Sequence, residues 1–217
     1  RDLKPITQRY ISLDAPTKDI LQSVDMPLFS DFWERLNKSL EYLSQKKQRT
    51  CIRLTLVKGH NMTNLPEYAK LITKGSPDFL EVKAYMFVGA SKERLHKENM
   101  PLHEEVVAFT RQLMQYLPDY DIVSEHIPSR VILVAKKKFK IDRIWNTWIN
   151  FPKFNELAQS GKDFTSMDYL KSTLEVGLSG KGTLDRYKEW EKINETTHEL
   201  DFYSETKKDS EGFLNTT

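Results

Sequence analysis

The sequence predicts an α/β protein made of parallel strand–helix units. Two observations lead to this fold class: the spacing of apolar residues switches repeatedly between a period of two and a period of 3.6, and helical segments of about 10–15 residues separate the alternating ones. Such alternation favours parallel βαβ units with right-handed crossovers, which curve toward a barrel. A closed eight-fold barrel takes about 250 residues, and only three units are visible in these 217 residues. The chain is therefore predicted to be the C-terminal half of a partial (βα) barrel, with a complete small open sheet as the alternative.

Each element has its own signal in the chain. Period-two alternation predicts strands at 10–15, 51–57, 79–85, 121–126 and 130–135. Helical spacing predicts helices at 31–47, 64–75 and 102–116. Pro16 ends the first strand, Pro66 lies in the first turn of the second helix, and a polar turn at 127–129 joins the last two strands as a hairpin. Beyond about residue 151 the pattern weakens, so we predict a half-barrel domain over 1–158 and a C-terminal extension over 159–217, partly helical and frayed at its end.

Composition excludes several classes of protein. Lys and Arg number 33 against 31 Asp and Glu, which is not the strongly basic balance usual in nucleic-acid-binding domains. The single cysteine, Cys51, excludes internal disulfides and any multi-cysteine zinc or iron–sulfur site, so no metal ligands are predicted within the chain. The motifs of P-loop NTPases, serine hydrolases and zincins are absent. The lack of a leader and of a ~20-residue apolar run predicts a cytoplasmic protein without a membrane span; a position at the surface of the endoplasmic reticulum is left open.

Strand parity predicts a polar lining opposite the helices. In a βα barrel the apolar side of each strand faces the helices, so the alternate residues face the interior. Applied to the first three strands, this rule selects six interior residues: Ser12, Asp14, Arg53, Thr55, Glu81 and Lys83. A purely structural barrel interior is filled by Val, Ile and Leu, so the polar set predicts a polar ligand. Inverted parity or a solvated face is the alternative.

Three residues are candidates for proton transfer or covalent chemistry. His126 ends the fourth strand, where the catalytic residues of barrels cluster, and a neutral imidazole there can move a proton. A buried Lys83 can form a Schiff base, with Glu81 beside it on the same face. The structural alternatives are a histidine that only packs and a Lys83–Glu81 ion pair.

A basic and aromatic segment follows the fifth strand. Its cations are Lys136, Lys137, Lys138, Lys140 and Arg143, and Trp145 and Trp148 come directly after them. Cations interleaved with aromatic rings can pair with phosphates and stack on bases, so these five cations are the predicted RNA-binding residues. The alternative is a lysine-guarded edge strand followed by a pair of core tryptophans.

Seven motifs occur in order along the chain: 10–17 (YISLDAPT), 27–33 (PLFSDFW), 48–58 (QRTCIRLTLVK), 77–83 (PDFLEVK), 103–107 (HEEVV), 139–141 (FKI) and 145–149 (WNTWI). Together they resemble the wyosine-forming radical S-adenosylmethionine (radical SAM) enzymes of the eukaryotic type. The resemblance covers about residues 3–158, and residues 159–217 add nothing to it.

The resemblance implies a barrel of radical SAM type and a tRNA-modifying lyase of wybutosine biosynthesis. Such enzymes condense pyruvate carbons with 1-methylguanosine in phenylalanine tRNA (tRNA-Phe) to form 4-demethylwyosine. They bind a [4Fe–4S] cluster and S-adenosylmethionine, and an upstream flavodoxin-like domain with FMN, or another electron donor, supplies electrons.

Carried over residue by residue, the resemblance assigns Ser12 and Asp14 to the strand that touches S-adenosylmethionine. It assigns Arg53 and Thr55 to the next interior strand, and Glu81 and Lys83 to the strand after that. The basic segment would face tRNA.

One departure from the family is large. The cluster needs three cysteines spaced Cys-x3-Cys-x2-Cys near the first barrel strand, whereas this chain has only Cys51, on a later strand. The cluster ligands, and the lysine region that the family usually assigns to pyruvate, are therefore expected outside this chain, which is predicted to be inactive alone. The alternatives are a non-catalytic tRNA-binding half-barrel module and a Schiff-base lyase that uses Lys83.

Overall fold

The computed structural model describes residues 4–173, and its centre is a five-stranded sheet with the order β1-β2-β3-β5-β4. The strands are β1 (Gln8–Ser12), β2 (Arg49–Leu56), β3 (Phe79–Ala84), β4 (Tyr120–His126), β5 (Val131–Lys136), β6 (Lys140–Ile141), β7 (Ile144–Trp145), β8 (Trp148–Ile149) and β9 (Leu170–Lys171). The helices are α1 (Lys18–Asp25), α2 (Phe32–Ser44), α3 (Leu65–Gly75), α4 (His103–Met114) and α5 (Phe151–Ser160). Strands β1, β2 and β3 are parallel. The predicted α/β class with a parallel sheet is confirmed.

Helices α2, α3 and α4 pack on one face of this sheet. On β2 the apolar residues Ile52, Leu54 and Leu56 are fully buried, and they belong to one core with residues of all three helices, such as Leu40 and Val106. Burying this apolar layer is the main force that holds helices on the sheet. We call the opposite side of the sheet, which carries the alternate residues of each strand, the site face.

The last two strands form the predicted hairpin, but their order in the sheet differs from their order in the chain. Strand β5, and not β4, lies beside β3, and β5 is antiparallel to both β3 and β4. The turn at Ile127–Ser129 is too short for a crossover, so β5 must return beside β4. Ile132 and Val134 of β5 then complete the apolar layer on the helix side.

Helix α1 is an element that the sequence pattern did not predict. It has only eight residues and lies between Pro16 and Pro27, so its helical spacing is too short to stand out. Its Val24 packs with Val57, which follows β2, and Tyr85, which follows β3. Helix α1 therefore lies at the C-terminal ends of the parallel strands, an edge that we call the rim.

The chain after β5 closes the opposite end of the site face, which we call the floor. The Phe139 ring lies 4.6 Å from the Phe79 ring, and the Tyr169 hydroxyl donates to Thr7 O at 2.9 Å and accepts from the backbone N–H of Arg49 at 2.7 Å. Residues beyond the predicted boundary at 158 thus bond to the residue before β1 and to the first residue of β2. The remainder of the predicted extension, from residue 174, lies outside the described residues. Within 4–173, no helix is long and apolar enough to cross a membrane.

Candidate functional site

The predicted interior residues lie on the site face in rows set by strand register. Ser12 of β1 pairs with Arg53 of β2, and Arg53 pairs with Glu81 of β3. One step nearer the rim, Thr55 pairs with Lys83. Register places residues of neighbouring parallel strands side by side on one face, so a ligand on this face can contact all five.

Arg53 and Glu81 form an ion pair across β2 and β3. Arg53 Nη2 donates to Glu81 Oε2 at 3.1 Å, and Arg53 Nε lies 3.1 Å from Glu81 Oε1. The hydrogen bond with Glu81 raises the pKa of Arg53, whose Cζ also lies 5.2 Å from the centroid of the Tyr10 ring. The structural alternative in which Glu81 pairs with Lys83 is wrong, because Arg53 occupies the carboxylate.

Lys83 and His126 lie in one row at the rim. Val131 of β5 pairs with Lys83 on one side and with His126 of β4 on the other. Two strand spacings of ~4.8 Å put their backbones roughly 10 Å apart, so a bound molecule could touch both side chains. Among residues 4–173, the Lys83 side chain has no hydrogen bond or ion pair, whereas His126 Nδ1 lies 2.8 Å from Ser129 Oγ.

Asp14 forms hydrogen bonds that stabilise the rim. Its Oδ1 accepts the backbone N–H of Thr55 at 2.8 Å, and its backbone oxygen accepts from Asn61 Nδ2 at 2.7 Å. Burial raises the pKa of Asp14. Asn61 also donates to Thr55 O at 2.7 Å and accepts from the Val57 N–H, and it is fully buried. Sequence reasoning missed Asn61, since only its place directly after a buried strand hints at this role.

Asp25, at the end of α1, adds a second carboxyl near Asp14. Desolvation, followed by the negative charge of Asp14, raises the pKa of Asp25 to about 6, against a smaller opposing effect of Arg94. The Arg94 guanidinium donates to Val24 O at 2.9 Å, which ties α1 to the loop after β3. The unpredicted helix α1 therefore brings a carboxyl group with a raised pKa to the rim.

Glu125 faces the helix side of the sheet, away from the site face. Its Oε2 lies 2.7 Å from His103 Nε2, and both side chains are at least 94% buried. His103 has no metal-ligand spacing in the sequence, which predicts a surface or loop position, but it is buried at the start of α4 beside β4. The contact between His103 and Glu125 could not be predicted from the sequence, because it depends on where β4 lies in the sheet relative to α4.

The predicted RNA-binding cations divide into two groups. Lys136 Nζ donates to Ser76 O at 2.8 Å, and Lys138 Nζ lies 2.7 Å from Asp78 Oδ1, so these two fasten the end of β5. Lys137, Lys140 and Arg143 are exposed and form no ion pair within residues 4–173.

These cations lie at the floor end of the sheet, because Phe79 pairs with Ala135 and Lys83 with Val131. Four residues of strand separate those rows, or about 13 Å. The structure therefore does not bring the basic segment together with the rim residues.

Cys51 does not fit a cluster ligand. It is 1% exposed, and burial raises the pKa of its thiol to about 12, whereas a cluster is held by several thiolates. Within 4–173, no three His, Cys, Asp or Glu side chains are grouped to hold a metal ion. The residues present do not fit an iron–sulfur cluster, so no step of a reaction is derived through one on this chain.

Comparison with known proteins shows what this chain is similar to. Residues 74–136, from the end of α3 to the end of β5, match the family model for wyosine base formation. The chain is 49% identical over 187 residues to the S-adenosyl-L-methionine-dependent tRNA 4-demethylwyosine synthase of Mus musculus, covering 83% of this chain and 26% of that protein. It is 48% identical over 191 residues to the Saccharomyces cerevisiae enzyme, covering 84% and 24%.

The chain is a relative of the tRNA 4-demethylwyosine synthases. A solved structure of TYW1 with a lysine–pyruvate adduct bound is also similar, at 32% identity and a TM-score of 0.53, covering 63% of this chain and 43% of that one. The resemblance read from the motifs is confirmed. The chain spans about a quarter of the length of the curated synthases that it matches. Both Lys83 and His126 lie within the family-model match.

Proposed function

We propose that this chain is part of a tRNA-modifying carbon–carbon lyase that condenses pyruvate carbons with 1-methylguanosine in tRNA-Phe by radical SAM chemistry, forming 4-demethylwyosine. The observation that carries the proposal is 48–49% identity to curated synthases over more than four-fifths of the chain. The polar rows of the site face support it, because they suit a polar ligand better than the Val, Ile and Leu of a purely structural barrel.

S-adenosylmethionine is the ligand proposed for Ser12, Asp14, Arg53 and Thr55. The amino acid part of this molecule carries a carboxylate, for which the Arg53 guanidinium is the matching donor. Its ribose and ammonium groups suit the hydroxyls of Ser12 and Thr55 and the Asp14 carboxylate, whose Oδ1 already accepts the Thr55 N–H. The [4Fe–4S] ligands are proposed outside this chain, and FMN on an upstream flavodoxin-like domain. The 217 residues alone should therefore be inactive.

The proposal is tested on a longer polypeptide that contains this chain. It is purified without oxygen, its iron and sulfide are counted, and release of 5′-deoxyadenosine is measured, followed by modification of 1-methylguanosine-containing tRNA with pyruvate. Arg53→Ala should weaken S-adenosylmethionine binding at least tenfold, while the matched control Arg35→Ala, on the exposed side of α2, should not. If the longer polypeptide forms no four-iron cluster, the enzyme proposal is wrong, and the alternative of a non-catalytic tRNA-binding module is favoured.

A Schiff-base role for Lys83 is the second candidate, and one observation favours it. Glu81 is paired with Arg53, so the Lys83 amine has no ion-pair partner among residues 4–173. A similar protein of known structure carries a lysine–pyruvate adduct. Borohydride reduction in the presence of pyruvate should then add the reduced keto acid to Lys83 and lose that label in Lys83→Ala. Equal labelling of Lys83 and of the exposed Lys70 would show that pyruvate reacts with lysines in general, and would contradict a specific role for Lys83.

A further inference from the structure

The site face changes from polar to apolar between β3 and β5. On β1, β2 and β3 it carries the six predicted interior residues, all of them polar, whereas β5 contributes Val131, Leu133 and Ala135. Val131 and Leu133 are partly exposed. The neighbouring residues on the helix side, Ile132 and Val134, are fully buried. Val131 and Leu133 therefore form a half-exposed apolar surface within the site face, which we call the apolar strip.

Polar residues border the apolar strip on both sides. Each residue of the strip pairs with one polar residue of β3 and one of β4. The residues on the β3 side are Lys83 and Glu81, and those on the β4 side are His126 and Ser124. Neighbouring strands lie about 4.8 Å apart, and residues on one face of a strand repeat about every 7 Å. The strip is therefore roughly 10 Å wide between its borders and about 7 Å long.

A β-bulge in β4 determines which residues form the far border of the strip. Pairing with β5 passes from Ile122 to Ser124, so Val123 is the extra residue. With regular alternation, Asp121 would be followed on the site face by Val123 and Glu125. The bulge instead turns Ser124 to the site face and leaves Glu125 buried on the helix side. Bulges are over-represented next to active sites, where they redirect side chains.

The border on β4 has hydrogen-bonding groups available for a ligand. His126 Nδ1 lies 2.8 Å from Ser129 Oγ, which leaves His126 Nε2 without a partner among the described residues. The Ser124 hydroxyl likewise forms no hydrogen bond within 4–173. A hydroxyl can donate and accept, and the free nitrogen of a neutral imidazole does one or the other according to its tautomer. On the opposite border, the Lys83 amine is a donor.

These features favour a flat ligand with polar edges. An α-helix is about 10–12 Å across with its side chains, so it is too wide to lie between the two borders. A nucleobase has flat faces that stack and edges that carry hydrogen-bond donors and acceptors, which matches an apolar strip between two polar borders. Enzymes that react with a base take it out of its stack and hold it by its faces and its edge. The guanine of the proposed substrate fits this position.

We propose that the apolar strip of Val131 and Leu133 binds the face of the 1-methylguanine base, and that Ser124 and His126 hydrogen-bond one of its edges. The proposal rests on the proposed function, which supplies the substrate. It places the base beside Lys83 and within the same sheet face as the residues proposed for S-adenosylmethionine. The two reactants can therefore meet over β3, which lies between their binding sites.

The test measures RNA binding by the longer polypeptide without S-adenosylmethionine or reductant, so it does not depend on catalysis. Two synthetic fragments of tRNA-Phe are compared by fluorescence anisotropy: one carries 1-methylguanosine, and the other has an abasic site at the same position. Stacking of one base raises affinity about fivefold or more, so the unsubstituted polypeptide should prefer the first RNA by at least that factor. Leu133→Ala should lose most of this preference, and Ser124→Ala part of it.

Leu36→Ala is the matched control, because Leu36 is also partly buried but packs on the helix side of the sheet. It should keep the full preference. An unchanged preference in Leu133→Ala, or no preference in the unsubstituted polypeptide, would overturn the proposal. Binding of S-adenosylhomocysteine is measured on the same variants. If Leu133→Ala weakens that binding and leaves the RNA preference intact, the strip holds the adenine of S-adenosylmethionine, and the proposal is wrong.

A second measurement does not depend on a loss of affinity. Leu133→Cys introduces a thiol into a chain whose own Cys51 is 1% exposed. Alkylation at position 133, followed by mass spectrometry, should occur in the free polypeptide and be slowed by the 1-methylguanosine RNA but not by the abasic RNA. A thiol that does not react in the free polypeptide would show that another segment covers the strip, which contradicts the proposal. Protection in a polypeptide that forms no four-iron cluster would support the base site and contradict the lyase, so the two proposals can fail separately.

Discussion

His103 and Glu125 are in contact on the helix side of the sheet, with His103 Nε2 2.7 Å from Glu125 Oε2 and both side chains at least 94% buried. This contact joins the start of α4 to the end of β4, one residue before His126. It thereby helps to fix which residues of β4 face the helices and which face the site.

Replacing His103 by Leu should destabilise the fold by about 3 kcal/mol, because it removes one member of a buried, hydrogen-bonded pair. Urea unfolding at neutral pH measures the change. His60→Leu, at an exposed position, is the control and should cost under about 0.5 kcal/mol. The double variant His103→Leu/Glu125→Leu should recover most of the loss; a double variant as unstable as the single one contradicts the pairing.

Replacing Glu81 by Gln should cost no more than about 1 kcal/mol of stability, because the Arg53 side chain is 41% exposed and solvent screens the pair. The same change frees the Arg53 guanidinium to bind an external carboxylate. Calorimetric titration with S-adenosylhomocysteine, on the longer polypeptide, should show affinity kept or improved. Glu34→Gln, which removes a more exposed pair with Lys18, is the control; a large loss of affinity in Glu81→Gln alone would mean that Glu81 itself contacts the ligand.

Asp25→Asn should stabilise the protein above pH 6 and leave it unchanged near pH 4. The folded state raises the pKa of Asp25 from 3.8 to about 6, so it binds this proton more tightly than the unfolded chain. Ionising Asp25 therefore destabilises the fold as pH rises through that window. Thermal midpoints of the two proteins should separate between pH 4 and about pH 6 and keep a constant difference up to pH 8. Asp19→Asn, on the exposed side of the same helix, should show no such trend.

The exposed cations of the basic segment should control RNA affinity through phosphate contacts alone. Replacing Lys137, Lys140 and Arg143 by Ala should reduce the slope of log K against log salt by roughly 2–3, at about 0.7–0.9 per lost phosphate contact. Fluorescence anisotropy with tRNA-Phe measures it. Lys38, Lys70 and Lys92, exposed elsewhere, form the matched control set. An unchanged slope would show that the segment is only a structural end of β5, as Lys136 and Lys138 already are.

The helix and site faces of the sheet could be predicted because alternation in β2 is strict. Ile52, Leu54 and Leu56 must be buried under helices, so Arg53 and Thr55 must face the other way. Which residues meet across strands could not be predicted. Glu81 pairs with Arg53 rather than with Lys83 because of the register between β2 and β3. Lys83 and His126 share a row only because β5 returns between β3 and β4. Neither contact can be predicted from the periodicity of a single strand.

The Tyr169 hydroxyl, which bridges Thr7 and Arg49, has a consequence for synthesis on the ribosome. Its two partners lie 162 and 120 residues earlier in the chain. At a translation rate of about 5–20 residues per second, the start of β1 is synthesised roughly 8–30 s before Tyr169. During that interval the floor ends of β1 and β2 are hydrated and open to other chains. A nascent polypeptide stalled before Tyr169 should therefore bind chaperones more than one stalled after it.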